Sequence, residues 1–138
     1  MKNILLIGFP TLNYIDEIKN EIELLGHSVI YYDIEPWTRR FKLLKRLSTS
    51  RYAQARNVYQ RDIIENARNV HYDLVIFIQP HRFRLENLKT LRVEHPESTF
   101  VLYNWDSLTT YDYRLYLDLF DRSYTFDRND AVALNIPY

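Results

Sequence analysis

Tyr72-Asp73-Leu74-Val75-Ile76-Phe77-Ile78-Gln79-Pro80-His81-Arg82 contains the most strongly apolar run of the chain, five consecutive residues from Leu74 to Ile78. Bounded by polar residues on both sides, such a run reads as a strand, the third of the chain. Before it, Tyr52, Ala55, Tyr59, Ile63, Ala67 and Val70 recur at helical spacing. After it, Leu85, Leu88 and Leu91 mark another helix, which His95-Pro96 ends. A strand between two helices is the unit of an α/β fold.

The same alternation extends to both ends. Residues 4–7 form a second continuous apolar run. Leu12, Ile15, Ile18, Ile22 and Leu25 follow as one face of a helix, with Gly26 placed to end it in the left-handed region. Residues 27–32 read as strand two, 99–103 as strand four and 123–126 as a short strand five. Helices are expected over 108–120, with Leu108, Leu115 and Leu119 along one side, and over 129–134. The expected fold is α/β: an open parallel five-stranded Rossmann-like sheet with helices on both faces. With residues 4–7 apolar throughout, strand one is taken as central, giving the order 3-2-1-4-5 and making strands one and four neighbours.

Between strands two and three the chain makes a basic helical excursion. From residue 36 to 61 there is no acidic residue, yet Arg39, Arg40, Lys42, Lys45, Arg46, Arg51, Arg56 and Arg61 all fall there. Phe41, Leu44 and Leu47 give a narrow stripe, and Ser48-Thr49-Ser50 a break and cap. The segment is expected to project from the compact body, its cations solvated or paired with the acidic region 106–130.

Composition narrows the function. At 138 residues the chain is one domain, long enough for a single core. It has no cysteine, which excludes disulfides and thiolate metal sites. Lys plus Arg and Asp plus Glu number 18 each, so no net field points to nucleic acid. The apolar start is too short for a signal peptide, and no window resembles a membrane helix. A cytoplasmic domain is expected. With only Gly8 and Gly26, neither a dinucleotide fingerprint nor a P-loop exists. A receiver-type phosphorylation domain wants an acidic pair after strand one, where this chain has Gly8-Phe9-Pro10-Thr11-Leu12-Asn13. His27, His71, His81 and His95 never reach paired metal spacing, so no metal site is expected, and all but His81 read as surface turn residues.

Candidate site residues lie just past the strands, where parallel sheets gather ligands. Thr11 and Asn13 follow strand one. His81 and Arg82 follow strand three, as holders of an anionic or hydroxyl-rich ligand or as a water-facing loop. Trp105, Asp106 and Ser107 follow strand four. Asp106, shielded by Trp105, is suited to general-base work on a hydroxyl; equally, Asp106 or Ser107 caps the helix expected from Leu108. Asp127 carries the same two readings for the last helix. Thr11 and Asp106 are expected nearest the crevice, with His81 and Asp127 further out. Tyr111, Tyr113 and Tyr116 read as a ligand platform or as half-buried amphipathic cover.

The block Phe100-Val101-Leu102-Tyr103-Asn104-Trp105-Asp106-Ser107, followed by Ser123-Tyr124-Thr125-Phe126-Asp127-Arg128-Asn129-Asp130, resembles a bacterial GT-B-like glycosyltransferase family of surface-polysaccharide assembly. The resemblance implies that residues 1–138 are the acceptor-side, amino-terminal half of a two-domain enzyme. It further implies a glycan or lipid-linked acceptor as partner, with Asp106 as base or orienter. No cofactor is then expected in this domain, the nucleotide-sugar donor needing a second domain beyond Ile136-Pro137-Tyr138. Peripheral membrane contact fits that setting. The other reading is a non-catalytic Rossmann-like interaction module that uses the basic helices over 39–61 to engage an acidic partner.

Overall fold

The computed structural model describes residues 1–10 and 13–138. Five strands, β1 (Asn3–Gly8), β2 (Ser28–Asp33), β3 (Leu74–Ile78), β4 (Thr99–Asn104) and β5 (Arg122–Thr125), form one all-parallel sheet. Class, strand number and direction agree with the sequence reading. The order is β2-β1-β3-β4-β5, not 3-2-1-4-5.

The correction has a clear physical cause. The expected order puts β3, apolar at every position, on an edge, and β2 inside. The observed order reverses this. β3 pairs on both sides, Val75 with Leu5 of β1 and with Phe100 of β4. β2, which carries Ser28, Tyr31, Tyr32 and Asp33, takes the edge with no fully buried residue. Burial of the apolar run outweighs the centrality assigned to β1.

Crossovers of the usual right hand account for the layers. α1 (Tyr14–Leu24) joins β1 to β2 on one face, where Ile15 packs on Leu6 and Ile78. The long connection through α2 (Arg39–Leu47) and α3 (Thr49–Ala67) brings the chain back across β1. α3, α4 (Leu85–Glu94) and the short α5 (Arg114–Leu117) cover the second face. There Leu5, Ile7, Val75, Phe77, Phe100 and Leu102 meet Ile63, Ile64 and Ala67 of α3 and Leu88 and Leu91 of α4. Gly8 allows α1 to approach closely: a Cβ there would stand 3.1 Å from Ile15 Cδ1 and 3.3 Å from Ile78 Cβ. Gly26, at φ +81°, follows α1 as expected.

The excursion is helical and breaks at Ser48. Thr38 caps α2 by accepting from the Phe41 N–H at 3.2 Å, and Ser48 caps α3 by accepting from the Arg51 N–H at 3.3 Å. Phe41 is buried against Tyr52, ring centroids 5.0 Å apart, so α2 rests on the first half of α3. Leu47 of the expected stripe points to solvent, 72% exposed.

Two further expectations change. The helix placed over 108–120 contracts to α5, preceded by a turn in which the Ser107 carbonyl accepts from the Thr110 and Tyr111 N–H groups. His95 is no surface residue: it is 5% exposed and edge-on to Tyr72, with burial lowering its pKa. The last helix, α6 (Arg128–Leu134), follows β5 as read.

Candidate functional site

All five strands run the same way, so their carboxyl ends share one rim. Because β3 lies between β1 and β4, the β3 loop is central there. Gln79 leaves β3 in the left-handed region, φ 58° and ψ 75°, uncommon for a residue with a Cβ. That turn aims its amide at β4, where Nε2 donates to Asp106 Oδ2 at 3.0 Å. Pro80, His81 and Arg82 form one 3₁₀ turn.

Two side chains clamp this loop from outside the rim. Gln60 of α3 is fully buried; its Nε2 donates to the Ile34 carbonyl at 3.2 Å and the Arg82 carbonyl at 2.8 Å. Its Oε1 accepts from the Arg84 N–H at 2.9 Å and Asn87 Nδ2 at 3.1 Å. The Tyr116 hydroxyl donates toward the carbonyls of Phe83, 3.1 Å, and His81, 3.4 Å. A polar residue in a helix interior thus satisfies a loop's backbone.

The strongest electrostatic feature is Glu35, which precedes the basic excursion and is 5% exposed. Arg82 Nη1 lies 3.1 Å from Oε1. Lys45 Nζ lies 3.8 Å from Oε1, and Arg56 Nη1 4.0 Å from Oε2. The Tyr52 hydroxyl donates to Oε2, and burial raises the Tyr52 pKa. Three cations and a phenol around one carboxylate satisfy the requirement that a buried charge be paired. The excursion's inward cations are therefore paired with Glu35, not with the acidic region 106–130. Arg82 also lies over the Phe9 ring, 4.4 Å from its centroid, and Phe9 meets Trp37 edge-on.

Phe9, Gln79, His81, Arg82, Asp106 and Tyr111 line a shallow cleft of about 240 Å³. His81 stacks on Tyr111, centroids 3.7 Å apart and planes 12° from parallel. Its Nδ1 is buried without a partner among the described residues, and burial lowers its pKa against the opposing pull of Asp106. A second, larger groove of about 360 Å³ lies between α3 and α4, lined in part by Asn57, Arg61, Arg84 and Asn87.

His81, Arg82 and Asp106 therefore come together, and the other described candidates stand apart. Thr11 lies outside the described residues. Asn13 is exposed before α1, its carbonyl accepting from the Glu17 N–H at 3.0 Å. Trp105 does not shield Asp106; it turns to the α1 layer, edge-on to Tyr14 and Tyr103. Ser107 Oγ accepts from the Thr109 N–H at 3.3 Å in a turn. Asp106 caps no helix, since none starts at Leu108. Asp127 does cap α6, accepting from the Asn129 N–H at 2.8 Å and the Asp130 N–H at 3.1 Å, and the Asp130 N–H bond leads in lowering its pKa. His81 sits beside Asp106, not further out. What converges at the rim is a guanidinium, an imidazole, a carboxylate and two aromatic rings.

Three residues that matter here escaped the sequence reading. Glu35 carried a signal, as the last acid before a run of eight cations. Gln60 and Asp130 carried none. Asp130, 4% exposed, accepts from the Leu108 N–H at 2.8 Å and the Tyr113 hydroxyl at 3.0 Å.

No family model and no curated protein matches the sequence. Solved structures do match the fold. A response regulator protein from Burkholderia pseudomallei, with a phosphorylated aspartic acid, calcium ion and citrate, superposes with TM-score 0.55 at 13% identity over 100% of this chain and 67% of that one. The response regulator TrrA from Thermotoga maritima, in complex with Mg²⁺-BeF, gives 0.56 at 14% identity over 98% and 95%. A CheY-like receiver domain protein from Methanospirillum hungatei gives 0.54 at 14% identity over 98% and 90%. These neighbours and the observed strand order overturn the resemblance to a glycosyltransferase of polysaccharide assembly, and with it the glycan or lipid-linked acceptor as partner. The likeness of this chain to receiver domains is one of fold.

Proposed function

We propose that the chain is a non-catalytic interaction module on a receiver-like fold, which engages an acidic partner through the basic helices α2 and α3. The observation that carries this reading is the outward charge of the excursion. Arg39, Arg40, Lys42, Arg46 and Arg51 are exposed and, among the described residues, form no ion pair, and no acid lies between residues 36 and 61. Glu35 neutralises only the inward side. Exposed cations of one sign raise the local concentration of anionic surfaces and steer their approach.

Aspartyl phosphorylation, named for the Burkholderia neighbour, fits this chain poorly. Phe9-Pro10 follows β1 and Gln79 follows β3, so neither loop offers a carboxylate at its start. Among the described residues no three His, Asp or Glu side chains stand close enough to share a metal ion. Gln79 instead uses its amide to orient Asp106.

Titration with poly-L-glutamate tests the reading. The wild type is expected to bind with an affinity that falls steeply with salt, and the variant R39E/R40E/R46E to lose binding while keeping its circular dichroism. Equal binding by the folded variant, or none by the wild type, overturns it. A gain of one phosphoryl mass on incubation with acetyl phosphate and Mg²⁺ would overturn the non-catalytic half.

A further inference from the structure

α1 and α2 carry opposite charge: Asp16 and Glu17 of α1 and Lys45 and Arg46 of α2 lie at the ends their helix dipoles favour, and further charges of the same sign lie at the ends they disfavour. Arg39 and Arg40 open α2, whose first turn has no acid. The amino end of a helix is positive, so cations there are misplaced for the helix itself. α1 holds Asp16, Glu17, Glu21 and Glu23 against the single base Lys19, and its last turn has no base. Glu21 and Glu23 thus face the negative end of their own helix. Among the described residues only Glu23 of these acids is paired, weakly, to Lys19 at 3.9 Å.

The two faces complement each other when the helices lie antiparallel. Arg39 and Arg40 then meet the carboxyl end of α1 at Glu21 and Glu23, while Arg46 near the end of α2 meets Asp16 and Glu17. The helices are similar in length, 11 and 9 residues. Both faces also expose leucine: Leu24 on α1, 79% exposed, and Leu43 and Leu47 on α2, 55% and 72%. Within one chain the faces do not meet. α1 packs on the sheet face containing Leu6 and Ile78, and α2 rests on α3, which covers the other.

We infer that the acidic partner of α2 is α1 of a second copy of this chain, in a head-to-tail contact. This rests on the proposed function and names its partner. A patch that docks on a different patch of an identical chain is heterologous, so copies add in rings or open filaments. The zero net charge of the chain puts no global repulsion in the way.

Sedimentation of the purified chain reads the contact directly. At about 0.01 M salt, where charges act over ~30 Å, association should rise with protein concentration; at about 1 M, where the range is ~3 Å, it should vanish. R39E/R40E/R46E and, separately, E17K/E21K/E23K should each weaken self-association by about tenfold or more. Mixing the two variants should restore association, since each then supplies the face the other lacks. A wild type that stays monomeric at low salt overturns the inference, as does a mixture that fails to associate. A monomer that still binds poly-L-glutamate, or phosphatidylglycerol vesicles, through α2 overturns self-association while leaving an acidic partner of another kind.

Discussion

Glu35 and Arg82 meet at 3.1 Å although 47 residues separate them, and that contact joins the root of the basic excursion to the loop after β3. The Glu35 side chain is 7% exposed and that of Arg82 28%. Lys45 and Arg56 approach the same carboxylate, so Glu35 permits three cations to gather at the rim. Without it they repel one another, and the half-buried guanidiniums of Arg56 and Arg82 lose their counter-charge.

Glu35→Gln should therefore destabilise the protein by about 2–3 kcal/mol, toward the lower end for breaking a buried pair because Arg82 keeps some water. The urea midpoint is expected to fall with an unchanged slope. A midpoint shift no larger than that of an exposed control such as Glu97→Gln would show that the cluster contributes nothing net.

The fold class was legible because it rests on periodicity. Ile15, Ile18 and Ile22 recur with the helical period, and Leu74 to Ile78 is a continuous apolar run of strand length with polar flanks. The strand order was less accessible. The centre was given to β1 because residues 4–7 are apolar throughout, although the run over 74–78 is the longer and equally apolar. The site divides the same way. His81, Arg82 and Asp106 follow strands, and position alone brings them forward as residues of the rim. Glu35, Gln60 and Asp130 act through long-range contacts, at sequence separations of 47, 22 to 27 and 17 to 22 residues. No local pattern marks such a partner. Asp106 and Asp127 look alike in sequence, but only Asp127 precedes an ordered helix.

Acid should weaken the fold through the buried His95 and the half-buried His81. Burial lowers the pKa of His81 and His95 below the usual 6.5, so the folded state holds each neutral while the unfolded chain still protonates. In that window the unfolded state binds more protons, and stability rises with pH. The contribution is complete above 6.5 and is lost as pH falls from there through the lowered folded values. Urea melts between pH 7 and 5 should show this slope, and His95→Gln should reduce it. An unchanged slope in that variant would assign the effect elsewhere.

The two rim-side aspartates should respond differently to truncation. Asp127 satisfies two N–H groups at the start of the seven-residue α6, so Asp127→Ala is expected to cost ~1 kcal/mol, largely recovered by Asp127→Ser. Asp106→Ala removes a part-exposed bond to Gln79, with an expected cost below ~1 kcal/mol and no rescue by serine. Thermal melts of the four-variant set, with Asp106→Ser included, decide between the roles. Equal losses at both positions would mean that the cap at Asp127 carries no special weight.

The largest single effect is expected at Gln60, where one neutral side chain holds two carbonyls and two N–H donors. Gln60→Leu keeps the helix and much of the volume but strips partners from the Ile34 and Arg82 carbonyls, the Arg84 N–H and the Asn87 amide. Each buried polar group left alone costs roughly 1–3 kcal/mol, so relaxation of the loop over 80–84 becomes the cheaper outcome. The expected result is a loss of about 3 kcal/mol in urea unfolding, with faster amide exchange at Arg84, where the lost acceptor exposes the N–H. Because Arg82 then leaves Glu35, a double variant with Glu35→Gln should lose less than the sum of the singles. Strict additivity would show that the Gln60 clamp and the Glu35 cluster are independent, and that the loop does not transmit between α3 and the rim.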